Sequence, residues 1–498
     1  MTGSVPSDRH VVIVGGGIAG LVAAFECARI GVRVTLLEAG DRVGGCVRTE
    51  QIAGIDVDTG AESFATRGGA VRELVDELGL ADAVVSPSPE GAWLAFDDDA
   101  APLPKAGILG IPSNPLADDV RRIIGWKGAT RAYLDRVKPV LTIGTEHNLG
   151  ELVEKRMGTA VLENLVAPVT NGVYSADPSQ LDVSRAAPGL NNALTVAGSL
   201  SGAVATLRDT VPAGSAVGGF AGGMRVLVDA LVTTLANYDV RVLTATAATR
   251  LEMLGDEQWR VHAASAGESD AEPEAPTKPA VPTSQATVTM DADAVIVATP
   301  EPAAAQLLGE LVPAAAVPAE ATAPVVDIVT LAIDSAALDA HPRGTGVLTA
   351  RSAGRAAKAL THSSAKWPWL AEAIDAPHRH IVRVSFGRTG EASPLDGLEE
   401  QQVSDLARAE ASALLGVDIA ASDVVDILRT RWESTLPRAF AGQKERASGI
   451  RDAITSLAGL DATGAWLCGT GLASVIPDAV AAAGRVRKRI IAEVLDSE

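Results

Sequence analysis

Apolar residues in this chain fall into blocks of different period. The first block, Val11-Val12-Ile13-Val14, is continuous rather than alternating, and a second over 32–37 ends at Glu38. Between them lie a glycine-rich turn and an Ala/Leu-rich stretch of helical character. A strand apolar at successive positions is covered on both faces, so residues 10–40 predict strand, tight turn, helix and parallel strand, the unit that opens an α/β sheet. Residues 70–80 have the spacing of an amphipathic helix closed by Gly79. From 91 to 216 alternation is scarce, and helix-like runs over 118–138 and 149–166 predict a mainly helical insertion. Sheet chemistry returns at 217, where four glycines lead into a helix over 225–237 and a strand over 240–245. Runs at 259–263 and 286–290 predict a hairpin joined by an Ala-, Pro-, Glu- and Ser-rich segment, 264–285, whose low complexity predicts disorder. A buried strand over 293–300, mixed strands and helices over 301–431, a strand and turn over 464–471 and a helix over 477–495 complete the pattern, with Pro477 suited to a first helical turn.

Composition narrows the function classes. With 498 residues, 47% hydrophobic and 21% charged, the chain is globular and long enough to bury cores without disulfides. Cys27, Cys46 and Cys468 form no CxxC pair, which fits a reducing compartment. The net charge of −20 argues against nucleic-acid binding, which needs clustered cations. Aromatic residues are only 3%, which disfavours a site built as an aromatic cage. No apolar stretch reaches the length of a membrane span, and the first ten residues lack the pattern of a signal peptide, so the cytoplasm is the expected setting. The most basic run carries Arg121, Arg122, Lys127, Arg131, Arg136 and Lys138; it could line a pocket mouth, dock a partner, touch anionic membrane or be a solvated helix face. His378 and His380 are expected to share a strand face, and no histidine spacing calls for a metal.

The chemistry-bearing motif is Gly15-x-Gly17-x-x-Gly20, placed between a strand and a helix. Gly15 serves the tight turn, Gly17 lets backbone approach a pyrophosphate, and Gly20 permits close helix–strand packing. Glu38 ends the second strand, where a carboxylate accepts ribose hydroxyls and repels a 2′-phosphate. A second glycine pair, Gly44-Gly45, follows with Arg42 and Arg48 around it, as a longer dinucleotide such as FAD would require. The expected fold is therefore α/β. An FAD-binding Rossmann-like domain is assembled from 1–90, 217–300 and 432–498, with a helical insertion over 91–216 and an α+β substrate-binding unit over 301–431.

Residues 42–49 resemble the R-x-G-G-R/K-x-x-T element of the FAD-dependent amine oxidase and phytoene desaturase superfamily, with Cys46 at a usually basic position. Gly60-Ala61-Glu62-Ser63-Phe64-Ala65-Thr66-Arg67 resembles a G-x-E-S-F-x-x-R segment, and Asn171 to Pro178 a G-V-Y-x-G-D-P segment, of the coproporphyrinogen III/protoporphyrinogen oxidase family. The turn at 219–227, Arg431-Trp432 with Pro437, and Gly469 to Asp478 are similar to further elements of that family. The resemblance runs from about residue 10 to 490, and the closing segment departs by carrying Ser474-Val475 where Gly-x-Gly is usual. It implies FAD contacts at Gly15, Gly16, Gly17, Ile18, Ala19, Gly20, Glu38, Ala39, Arg42, Gly44, Gly45, Arg48, Gly60, Ala61, Glu62, Ser63, Ala248, Trp432, Gly469, Val475, Ile476 and Pro477. Arg67 and Gly172 are implied as substrate-positioning residues. The implied reaction is six-electron oxidation of a porphyrinogen by dioxygen, with hydrogen peroxide released and no acid–base side chain required. Coproporphyrinogen III is the favoured substrate. Protoporphyrinogen IX, an amine substrate, and a non-catalytic flavin-binding haem-pathway protein are the alternatives. Transient contact with ferrochelatase is the implied protein partnership.

Overall fold

The computed structural model describes residues 9–497 apart from 67, 139–145, 175, 210–216, 256–257, 267–284, 317–324, 389 and 434–442. The opening unit forms as strand β1 (His10–Val14), helix α1 (Ile18–Ala28) and strand β2 (Arg33–Leu37). β1 is the middle strand of a five-stranded parallel sheet, flanked by β2 and Ala294–Val297, with Arg241–Leu243 and Leu460–Ala462 at the edges. Three distant stretches of chain thus build one α/β sheet. Its two faces explain the continuous apolar run. Val11 and Ile13 point into a core with α1, helix Arg225–Asn237 and the C-terminal helix Leu472–Ser497, while Val12 and Val14 point into a second core with Trp259, Leu307 and Ile450.

The predicted hairpin is present within a three-stranded antiparallel sheet of Thr246–Leu254, Gln258–Ala266 and Gln285–Ala292. Its strands extend beyond the expected ends, and residues 267–284 of the low-complexity segment lie outside the described residues.

A seven-stranded sheet forms the second body, in the order Val424–Glu433, Val325–Asp334, Arg379–Phe386, Ala359–His362, Gly346–Thr349, Trp93–Phe96 and Asp99–Pro102. Helix Glu400–Leu415 covers one face, opened by a Glu399/Gln402 capping box and closed by Gly416 in the left-handed conformation.

Several boundaries differ from the sequence expectation. The segment taken as a helical insertion opens on the hairpin 93–102, whose Leu94 and Ala95 bury on the seven-stranded sheet. Residues 301–315 pack on the parallel sheet through Ala304, Leu308 and Ala315. Trp432 belongs to the seven-stranded sheet, on strand Val424–Glu433. The 464–471 strand is instead a helical turn, Ala465–Cys468, and the sheet strand lies at Leu460–Ala462, where a buried Leu-Asp-Ala run carries little apolar signal. Helix packing dominates from 118 to 209, around the fully buried Asp135 and its ion pair with Arg156.

Candidate functional site

The two glycine turns are zipped together by backbone. Gly15 has φ +108°, and its N–H donates to Leu37 O at 2.7 Å, closing the end of β1 on β2. A Cβ on Gly20 would lie 1.8 Å from Gly15 O, so α1 packs on the turn only through glycine. The Gly44 N–H donates to Gly16 O at 2.8 Å, and a Cβ on Gly45 would sit 3.2 Å from Gly17 Cα. The result is a side-chain-free surface at the α1 N-terminus, where Gly17 makes no side-chain cap and the first-turn N–H groups of Ile18, Ala19 and Gly20 have no carbonyl partner within the helix. Glu38 closes the rim, accepting from Gly16 N and Gly40 N at 2.7 Å each, with exposed Ala39 between.

Arg42 and Arg48 are placed differently from the expectation of free phosphate cations. Both pair with Glu50, Arg42 at 3.3 Å and Arg48 through Nε at 2.7 Å. Behind them Cys46 acts through its main chain: its carbonyl accepts from Ala61 N at 2.9 Å. A Cβ on Gly60 would lie 2.0 Å from that same carbonyl and 3.0 Å from the Trp432 ring. Trp432 reaches in from the seven-stranded sheet and donates Nε1–H to Thr59 O at 3.0 Å. Gly60 is thus a crossing point of the two bodies.

Glu62 marks the main difference between expectation and structure. Its carboxylate is enclosed by Lys366 and Arg383, which come from the body of the seven-stranded sheet, and Arg383 also donates to Gly60 O at 2.8 Å. Burial alone would raise the Glu62 pKa, but the two cations outweigh it and hold it at about 2. Nearby Asp58 is raised to about 6 by burial, although it accepts from Met224 N at 2.9 Å and Thr49 Oγ1 at 3.0 Å. A small cavity is lined by Asp58, Glu62, Ser363, Trp367, Trp369 and Arg383. Sequence reading missed Lys366, Arg383 and Asp58. The available signal was a charge inside the apolar strand His-Ile-Val-Arg-Val-Ser-Phe.

The remaining expected residues are spread around this centre. Arg67 lies outside the described residues. Gly172 sits in helix Ala167–Tyr174 rather than a turn, and a Cβ there would lie 2.6 Å from Leu348 Cδ2, so its smallness serves helix–sheet packing. Ala248 pairs with Ala263 beside a bulge in strand Thr246–Leu254. Ser63 is half-buried. Gly469 has φ +97°, ahead of the C-terminal helix. That helix begins at Leu472, so Pro477 lies inside it, not in a first turn, and Ile476 is buried in the core while Val475 packs partly against it. Asp478 fixes this helix to the sheet by accepting from Thr463 Oγ1 at 2.7 Å and pairing with Arg451.

The histidines also depart from expectation. His378 precedes the strand with φ +59°, and His380 is buried; both bond to Asp339, and His380 Nδ1 lies 3.1 Å from His362 Nε2. Among the described residues no group of His, Cys, Asp and Glu is arranged to hold a metal ion, and no helix is long and apolar enough to cross a membrane.

This architecture has relatives. Residues 18–491 match the family "Flavin containing amine oxidoreductase". A coproporphyrinogen III oxidase of Mycobacterium bovis is 30% identical over 99% of both chains, and one of Bacillus subtilis is 27% identical over 95% of this chain and 97% of its own. The crystal structure of a candidate protoporphyrinogen oxidase from Exiguobacterium sp. 255-15 superposes with TM-score 0.78 at 23% identity, covering 97% of this chain and 99% of its own. The chain belongs to the coproporphyrinogen III/protoporphyrinogen oxidase family of flavin oxidoreductases. FAD is the cofactor of this family, and the residues present fit it. The glycine surface at the α1 N-terminus is a cradle that any Cβ would fill, and the Glu38 carboxylate stands at the end of β2 where a ribose is read.

Proposed function

We propose that this protein oxidises coproporphyrinogen III to coproporphyrin III in haem biosynthesis, using three dioxygen molecules and releasing three hydrogen peroxide molecules. The observation that carries this reading is the full-length likeness to coproporphyrinogen III oxidases. FAD, when bound, supplies the redox chemistry, two electrons at a time. The chain's own residues bind and orient. The cradle of Gly15, Gly17, Gly44 and Gly45 admits the pyrophosphate, Glu38 takes the ribose, and the Glu62–Lys366–Arg383 contact fixes the substrate-side body against the Gly60 segment. Arg67 is the proposed cation for a substrate carboxylate, and Gly172 is left with its packing role.

The main rival is amine oxidation, suggested by the family's name and by Trp367 and Trp369 in the cavity lining. Charge opposes it. Lys366 and Arg383 already pair with Glu62, and Asp58, once ionised above about pH 6, brings the cluster to neutrality, so no negative charge is left there to attract an ammonium. The test is porphyrin fluorescence after aerobic mixing of the purified protein with coproporphyrinogen III and, separately, protoporphyrinogen IX. Fast appearance with the first and slow with the second is expected. Equal rates would remove the substrate assignment, and oxidation of an amine with neither porphyrinogen consumed would replace the reaction.

A further inference from the structure

Four of the chain's seven histidines, His341, His362, His378 and His380, meet at the end of the seven-stranded sheet where strand Ala359–His362 finishes and strand Arg379–Phe386 starts. The ring centres of His362 and His380 lie 5.1 Å apart, and His341 stands edge-on to both, at 5.5 and 6.5 Å. Hydrogen bonds order the cluster. Asp339 bonds His380 Nε2 at 3.1 Å and His378 Nδ1 at 2.7 Å. A carboxylate only accepts, so both nitrogens carry hydrogen, and these bonds hold the Asp339 carboxyl below its ordinary range. In neutral His380 the other nitrogen, Nδ1, is then a lone pair, which accepts from His362 Nε2–H at 3.1 Å. His362 Nδ1 is left bare. It is buried and, among the described residues, has no hydrogen-bond partner.

A proton on His362 Nδ1 therefore meets no acceptor. The carboxylates around the cluster are engaged: Asp339 with His380 and His378, Glu90 with His341 Nδ1 at 3.0 Å, and Asp334 with Arg379 at 2.7 Å. Burial, with His380 and His341 beside it, pushes the His362 pKa down to about 3. Burial also lowers that of His380, against the pull of Asp339. His362 leads the chain into the contact between the two sheet bodies. It directly precedes helix Ser363–Lys366, whose Lys366 pairs with Glu62 and whose Ser364 Oγ accepts from Ile381 N at 3.1 Å. The segment that leaves strand Val84–Val85 for the hairpin 93–102 is tied to the same place twice. Ser88 N donates to Lys366 O at 2.8 Å, and Glu90 bonds His341.

We propose that His362 and His380 form an acid-labile latch between the two sheet bodies: a proton taken up by the pair expels the His362 ring, and helix Ser363–Lys366 leaves Glu62 and Ser88 with it. Expulsion follows because water supplies the acceptor that the pocket lacks. The carboxyls at the contact give no such response. Glu62 stays ionised down to about pH 2, and Asp58, raised to about 6 by burial, favours the fold as it gains its proton. His362 acts in the opposite sense. Its folded pKa lies below the ordinary value of 6.5, so its contribution is full above pH 6.5 and is lost as pH falls towards 3. The inference does not depend on the proposed reaction.

The experiment is hydrogen–deuterium exchange of the flavin-loaded, full-length protein at pH 7 and pH 5, corrected for intrinsic exchange. Linkage to His362 alone predicts an opening equilibrium about twentyfold larger at pH 5 for the amides of Ser88, His362, Trp367 and Ile381, with helix Arg225–Asn237 unchanged. His362→Gln keeps an N–H donor towards His380 and does not titrate, so the rise should fall below about threefold. Nitrogen-15 spectra of the histidine rings need no variant. At pH 7 both His362 and His380 should carry hydrogen on Nε2, and at pH 5 the protected form should show no His362 imidazolium. The opposite tautomer, a His362 imidazolium in a still-protected segment, or no acid response would overturn the proposal. So would a response equal in His362→Gln or one that includes helix Arg225–Asn237.

Discussion

The glycine cradle on the parallel sheet and the contact of the seven-stranded body with it are held in shape by different physics. The first is made of backbone and absences: glycine turns in contact, with a single acid at the rim. The second meets it through buried charge, with Glu62 enclosed by Lys366 and Arg383. A cradle of backbone tolerates no added atom. A buried ion cluster tolerates shape change but not loss of one charge. The comparison makes graded predictions.

The largest effect is expected at Gly20→Ala. Its Cβ meets the backbone of Gly15, which cannot rotate away, so a loss of about 3 kcal/mol and of most bound flavin is expected, read by denaturant midpoint and by flavin absorbance per chain. Retained flavin at native stability would mean the turn is softer than described.

Next comes Glu62→Gln. It strands two buried cations and should cost about 3 kcal/mol, recovered in large part by adding Lys366→Met. Its pH signature is specific. Glu62 has a folded pKa of about 2, below its unfolded value, so its contribution is present above the unfolded pKa and is lost as pH falls towards 2. In Glu62→Gln that acid-side loss should shrink in urea titrations.

Asp58 should behave in the opposite sense. Its folded pKa of about 6 lies above the unfolded value, so it favours folding at low pH and weakens it as pH rises through 6. Asp58→Asn, which keeps an acceptor for Met224 N, should gain about 1 kcal/mol above pH 6 and flatten the stability profile between about pH 4 and pH 6. A loss at pH 7 would show that the charged form is needed.

The smallest effect is expected at Gly172→Ala. The added methyl meets the mobile end of Leu348, so about 1 kcal/mol of stability is lost while KM for the porphyrinogen stays unchanged. A large rise in KM would return Gly172 to the substrate site.

The same contrast explains what was legible in the sequence. Gly15, Gly17, Gly20 and Glu38 lie within one βαβ unit, where spacing along the chain fixes geometry, so the turn, the parallel sheet and the acid at its rim could be read directly. Glu62 meets Lys366 and Arg383 across sequence separations of 304 and 321, and no local pattern encodes such a meeting. Glu50, which takes up Arg42 and Arg48, was overlooked because the motif drew attention to the arginines alone. Pro477 suggested a helix start, but the helix begins at Leu472, after Gly469 and Gly471, because tertiary packing of Ile476 extends it backwards.

The most direct test of the central claim is anaerobic mixing of the flavin-loaded protein with coproporphyrinogen III while the flavin absorbance is followed. The account predicts bleaching, with porphyrin absorbance rising in step, and recovery of the flavin colour when air is admitted. A flavin that stays oxidised over repeated additions of the porphyrinogen would contradict it.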